Sequence, residues 1–219
     1  MNRADADHYI GSVSKGNGKM GIPVYGLPVS TCTKHAPLDE CSTCCKTNCY
    51  AQRNKYNFPN VKAAQENRLT RINGDPGWVS AAFEWHFQRS DYFRLWDSGD
   101  FPNATVMDSI VRAAEAAEDR CRIYAPTKRY DLLKAGYDIP RPANLCIRVG
   151  LWKIDPSPLE VQNYITTFGN VSVVLKDKHD LTWNGEPIHV CAAPHKATCT
   201  VDCDVCFRND VKVVGYPWH

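Results

Sequence analysis

Runs of strand length and runs of helix length alternate along this chain, and that alternation leaves few folds open. Tyr92 to Trp96, Cys121 to Ala125, Asn144 to Val149 and Val171 to Leu175 are apolar or aromatic and read as strands. Between them lie stretches with apolar residues at helical spacing. One carries Trp78, Val79, Ala82, Phe83 and Phe87, another Val106, Ile110, Val111, Ala114 and Ala117, and a third Leu159, Val161, Tyr164, Ile165 and Phe168. Pro76 suits the first turn of one helix, Asn60 reads as the cap of an earlier one beginning near Val61, and Lys128 to Ala135 reads as a short helix closed by Gly136. Ile22 to Pro28 supplies a short first strand, and Asn184-Gly185 marks a hairpin between residues 181–183 and 187–190. Strands separated by helices pair in parallel. The units are too few for an eight-stranded barrel, so the expected class is α/β, either a partial (β/α) barrel or an open parallel sheet. One domain spans residues 1–219, with a Cys-rich insertion at 32–49 and a C-terminal Cys-rich segment at 191–206.

The 219 residues carry 26 basic and 24 acidic side chains, a formal charge of +2, and 43% are hydrophobic. That composition excludes a disordered tail protein. It removes the electrostatic reason to expect a nucleic-acid or membrane-surface partner. No uncharged apolar run is long enough to span a bilayer. The polar, acidic start, Met1 to His8, argues against a secretory signal, so a reducing, cytoplasmic setting is expected.

In that setting the 11 cysteines stand out, and their odd number cannot be paired into disulfides alone. Cys32, Cys41, Cys44, Cys45 and Cys49 form one group, and Cys191, Cys199, Cys203 and Cys206 another; Cys121 and Cys146 stand apart. Clustered thiolates in loops are ligands for zinc or for iron–sulfur clusters, because soft sulfur suits both. The second group has enough thiols for a closed site. In the first, Cys45 and Cys49 lie one turn apart and Cys41 and Cys44 form a Cys-x-x-Cys pair. His35 reads as solvated rather than as a further ligand.

In parallel sheets ligands gather at the carboxyl ends of strands. The first cysteine group follows the first strand, and Asp97-Ser98-Gly99-Asp100 follows a later one, so both are expected on one rim. Asp97 and Asp100 are candidates to bind an ammonium group or act as a base, against the alternative that they cap the turn. Lys128 and Arg129 start a helix, where positive charge is unfavourable. A partner such as Asp97, Asp100 or an anionic ligand is expected for Lys128, and a solvated position for Arg129. Trp96 and Trp152 read as core.

The segments Thr31-Cys32, Cys45-Lys46-Thr47-Asn48-Cys49-Tyr50-Ala51-Gln52-Arg53, Arg94-Leu95-Trp96-Asp97-Ser98-Gly99-Asp100-Phe101, Tyr124-Ala125-Pro126-Thr127-Lys128 and Cys199…Cys203-Asp204-Val205-Cys206-Phe207 resemble the phage "gene product 88" family, in order and over most of the chain. The resemblance implies a phage-encoded protein acting in the bacterial cytoplasm. Cys-Tyr-Ala and Ser-Gly-Asp are more distantly similar to the radical S-adenosylmethionine barrel enzymes. That similarity implies a 4Fe-4S iron–sulfur cluster on Cys32, Cys45 and Cys49, with Ser98, Gly99 and Asp100 on the S-adenosylmethionine side. The three-then-two cysteine spacing of those enzymes occurs here at Cys199, Cys203 and Cys206.

Two functions compete on this reading. One is an iron–sulfur protein on a radical-enzyme-like β/α scaffold. The other is a zinc-stabilised, non-enzymatic protein that binds a host factor, its metal sites contributing about 10 kcal/mol or more of coupled folding. A nucleic-acid-binding zinc protein ranks third, because no basic stripe is present.

Overall fold

The structure, a computed structural model, describes residues 1–16, 20–33, 49–134, 141–176, 182–183, 185–191, 199–200 and 202–217. Helix α1 (Arg3–Ile10) precedes strand β1 (Val24–Tyr25), which leads to the short α2 (Ser30–Thr33). Helices α3 (Pro59–Ile72) and α4 (Pro76–Phe87) follow. The chain then alternates through β2 (Tyr92–Leu95), α5 (Ala104–Ala117), β3 (Arg122–Thr127), α6 (Tyr130–Lys134), β4 (Leu145–Ile154), α7 (Pro158–Phe168) and β5 (Val171–Leu175). Three two-residue strands, β6 (Thr182–Trp183), β7 (Glu186–Pro187) and β8 (His189–Val190), come before the last strand, β9 (Val213–Pro217).

Seven strands form one all-parallel sheet in the order β1-β2-β3-β4-β5-β9-β8. Among the described residues its outer strands, β1 and β8, do not pair with each other, so the sheet is not closed. The first five strands lie in chain order. Parallel neighbours in chain order are joined by crossovers that as a rule are right-handed, which puts successive helices on one face.

Local sequence explains the element ends. Asp75 accepts hydrogen bonds from the Gly77 and Trp78 amides, with Pro76 at the first position of α4. Asn103 caps α5, and Ser157 with Glu160 makes a capping box on α7. The expected cap at Asn60 is corrected. Proline fills the first helical position at Pro59, so Phe58 is the cap and Asn60 is already helical. The hairpin forms with Trp183 opposite Glu186 and Gly185 at φ 83°. Its second arm stops at Pro187, and His189–Val190 turn away to join the main sheet beside β9.

Strand alternation sorts side chains between the two faces. Phe93, Leu95, Ile123, Ala125, Leu145 and Ile147 meet Ile10, Val79, Phe83, Phe87, Ile110 and Ala114 from α1, α4 and α5. Val149, Leu151, Val171, Val173 and Val213 meet Val161 and Phe168 of α7. Among the described residues the opposite face is covered by chain without long helices. Met20, Ile22 and Phe207 pack there on Val24 and Tyr124, with Tyr92 alongside. Phe207 ends a 3-10 turn, Val205–Phe207, and its ring lies 5.1 Å from that of Tyr92.

Helix α1 packs on α4, and there His86 is buried with its Nε2 3.6 Å from Asp7 Oδ1. Burial, aided by Arg3 and Arg89 and opposed by Asp7, lowers the His86 pKa from 6.5 to about 4. A depressed histidine stabilises the fold above its unfolded pKa, and that contribution is lost as pH falls through the folded value. Urea unfolding is therefore expected to weaken between about pH 6.5 and 4, and the His86→Leu variant should show a flatter profile over that window. An identical pH dependence in the two proteins would refute the assignment.

Candidate functional site

The carboxyl ends of β1, β2 and β3 are tied into one rim. The Leu27 amide donates to the Ser98 carbonyl at 2.8 Å, and Ser98 Oγ donates to the Leu27 carbonyl at 2.9 Å. Gln65 Nε2 on α3 donates to the same hydroxyl at 2.7 Å. Gly99 turns at φ 73°, after which the Asp100 amide donates to Thr31 Oγ1 at 2.8 Å. The Asp100 carboxylate is buried and accepts from Thr127 Oγ1 (2.6 Å), the Lys128 amide (2.7 Å) and its neighbour Phe101 (2.8 Å). Burial pushes the Asp100 pKa up to about 6, against the lowering effect of those bonds. Ser98, Gly99, Asp100 and Lys128 lie together at this rim, where the Asp100 carboxylate ties its own turn to the chain after β3, and Asn103 caps α5.

Lys128 runs its stem over Gly150 and places Nζ 4.5 Å from the centre of the Trp152 ring, a cation–π contact. Arg129 differs from its expected solvated position: it is buried. Its guanidinium forks onto Asp131 at 2.8 and 2.7 Å and donates to the Phe101 and Pro102 carbonyls. Arg129 directly precedes α6, its carbonyl accepting from the Leu132 and Leu133 amides, and the Asp131 carboxylate offsets its charge at that helix terminus.

The first cysteine group reaches this rim from both of its ends. Cys32 lies on α2, and Cys49 precedes a 3-10 turn, Tyr50–Gln52. Both thiols lie within electrostatic reach of the Tyr50 hydroxyl. That hydroxyl donates to the Asp97 carbonyl, and Tyr56 donates to Asp97 Oδ2 at 3.1 Å. Cys41, Cys44, Cys45 and His35 lie outside the described residues.

Arg94 links this corner to the second group. It projects from β2 on the face opposite the helices, 5.7 Å over the Tyr124 ring, and interacts with Tyr50, Asp97 and Tyr216. Cys199 and Cys206 also feel its charge. Cys206 Sγ lies 3.0 Å from the Tyr216 hydroxyl, which in turn lies 2.8 Å from that of Tyr124. Cys203 Sγ lies 3.3 Å from His189 Nε2. Cys199 and Cys203 face each other in an isolated bridge closed by the Thr200 amide on the Cys203 carbonyl at 2.8 Å. Cys191, at the end of β8, is within electrostatic reach of both Cys199 and Cys206. Burial pushes the Cys206 thiol up to about 11 and raises Cys199.

Among the described residues no three His, Cys, Asp or Glu side chains are gathered closely enough to hold a metal ion unaided. The donors nonetheless suit a soft metal. Buried thiols with raised pKa values stay neutral near pH 7 unless a cation draws off their protons. Tyr50, Tyr56, Arg94 and His189 were not singled out in the sequence as site residues. Tyr50 and His189 had a signal, adjacency to Cys49 and Cys191; Arg94 had none beyond its place in a strand.

No helix among the described residues is long and apolar enough to cross a membrane. No curated protein and no solved structure matches the chain. The family model described as Gene product 88 matches residues 7–210, so the long run of shared motifs extends over nearly the whole sheet and both cysteine groups, and the chain belongs to that family.

Proposed function

We propose that this is a phage-encoded iron–sulfur protein that carries its cluster at the carboxyl rim of the parallel sheet, on a scaffold of the radical-enzyme kind. The observation that carries the reading is that Cys32 and Cys49, at the two ends of the first cysteine group, both lie within electrostatic reach of the Tyr50 hydroxyl, which donates to the Asp97 carbonyl. Cys32, Cys49 and at least one of Cys41, Cys44 and Cys45 would hold the cluster. Such a cluster supplies one-electron transfer and, where an iron lacks a protein thiolate, a position for an outside ligand such as the amino-acid end of S-adenosylmethionine. Tyr50 and Tyr56 hold the Asp97 carbonyl and carboxylate at this corner, where they would be available to orient such a ligand. Asp100 is already saturated by Thr127, Lys128 and Phe101, so it shapes the rim.

Protein purified without oxygen is expected to be brown, with iron and acid-labile sulfide in comparable amounts. Cys32→Ser and Cys49→Ser should each lose most of both. Added S-adenosylmethionine should alter the electron paramagnetic resonance spectrum of the reduced cluster. Colourless protein containing zinc alone would overturn the reading. An intact cluster whose spectrum ignores S-adenosylmethionine would retain the cluster and remove that ligand.

A further inference from the structure

The C-terminal cysteines have a different set of neighbours from those at the rim, and one of them is a histidine. His189 lies on β8, two residues before Cys191, at the edge of the sheet. Its Nε2 lies 3.3 Å from Cys203 Sγ. Two ligands of one tetrahedral zinc, with metal–sulfur near 2.3 Å and metal–nitrogen near 2.0–2.1 Å, stand about 3.5 Å apart, so this spacing is close to that of a shared metal. Cys203 is paired by backbone with Cys199 across a turn that holds Thr200 at φ 71°, a conformation that costs a residue with a side chain roughly 1–3 kcal/mol and so is held by its surroundings. Cys191 follows β8 with its amide bonded to the Gly215 carbonyl at 2.8 Å, within reach of Cys199. Cys206 stands differently. Its sulfur meets the Tyr216 hydroxyl at 3.0 Å, and that hydroxyl is shared with Tyr124.

We infer that His189, Cys191, Cys199 and Cys203 form a closed zinc site that clips the C-terminal segment to the edge of the sheet, with Cys206 outside the ligand set. The imidazole decides the metal. A mixed three-sulfur, one-nitrogen set is an ordinary structural zinc environment, whereas clusters are mostly held by thiolates alone. His189 touches Cys203, Cys203 is bridged by backbone to Cys199, and Cys191 is within electrostatic reach of Cys199, with no three of the four drawn to ligand distance. Thiolate sites of this kind commonly close as the metal binds, ligand ordering and binding being one event. The site stands whether or not the rim carries a cluster.

Zinc content per chain and zinc X-ray absorption on the full wild-type protein test it directly. One tightly held zinc with three sulfur and one nitrogen neighbours is expected. His189→Ala and Cys199→Ser should lower zinc content by more than about tenfold, since even outer-shell losses cost roughly 10–100-fold in affinity. Cys206→Ser should keep it. Four sulfur neighbours in the wild-type protein, or loss of zinc from Cys206→Ser with retention in His189→Ala, would overturn the ligand set. Absence of zinc from protein made in zinc-replete medium, or iron in this site, would overturn the inference. The wild-type measurement is decisive even where a variant fails to fold. Rim iron, read separately from visible absorbance and sulfide, is expected to be unaffected by Cys206→Ser.

Discussion

Replacing Arg148 with methionine is expected to cost about 3–5 kcal/mol of folding stability. Arg148 stands on β4, on the face opposite the helices, and is fully buried. Its Nη1 donates to the carbonyls of Val171 (3.2 Å), Val211 (3.0 Å) and Lys212 (3.4 Å). Its Nη2 reaches the carbonyls of Val205 (3.4 Å) and Arg208 (3.0 Å) and the Cys146 sulfur at 3.6 Å. All but two of these acceptors belong to the segment that runs from the second cysteine group into β9. One guanidinium therefore satisfies the backbone of a stretch that has no long helix or strand of its own. Methionine matches the stem but donates nothing, and each orphaned buried acceptor costs roughly 1–3 kcal/mol. Removing a buried charge and admitting water offset part of that sum. Arg148→Lys keeps the charge without the fork and should fall between. Urea unfolding gives the total, and amide exchange over residues 205–214 gives its location, with faster exchange expected there first. Wild-type stability in Arg148→Met would show that the segment is held by other contacts.

That buried arginine also marks where sequence reading stopped. Periodicity located β2, β3, β5, α4, α5 and α7 because each buries one face against a single core, and a regular pattern needs only local information. Strand β9 gave no such signal. Val213–Pro217 is a short run behind Asn209-Asp210-Val211-Lys212, and what makes it a strand is its register between β5 and β8, a long-range fact. The same limit applies to the site. The rule for parallel sheets points to the Asp97-Ser98-Gly99-Asp100 loop on the rim, and Lys128 enters separately, as a cation at a helix start that needs a partner. The Cys203–His189 contact and the position of Arg94 between two cysteine groups depend on side chains that meet across the face lacking helices. There alternation predicts only which way a residue points. The burial of Arg129 has a related cause: its partners Phe101 and Pro102 lie in the loop after β2, while Asp131 lies on α6.

Gly99→Ala should be nearly as damaging as the loss of Arg148, about 2–4 kcal/mol, through a different cause. Gly99 sits at φ 73°, where any L side chain is strained by roughly 1–2 kcal/mol. A methyl there would lie 2.7 Å from Leu27 Cβ, 2.8 Å from the Leu27 carbonyl oxygen and 2.8 Å from Thr31 Oγ1. None of these is the loose end of a flexible side chain. The Leu27 carbonyl accepts from Ser98, and Thr31 Oγ1 donates to the Pro28 carbonyl while accepting from the Asp100 amide. Relief of the clash must therefore break the bonds that join β1 to β2 at the rim. Gly169→Ala separates the two contributions. Gly169 has φ 86° but nothing within 4 Å of the added methyl, so only a conformational cost of about 1–3 kcal/mol applies. Thermal or urea unfolding of the two variants should differ by the steric part. If the rim holds the cluster, iron content should fall in Gly99→Ala and stay level in Gly169→Ala, because only the former moves the Ser98 to Asp100 turn against α2, which carries Cys32. Equal destabilisation of both variants would mean that the rim yields freely, and it would leave the cluster ligands without a rigid support.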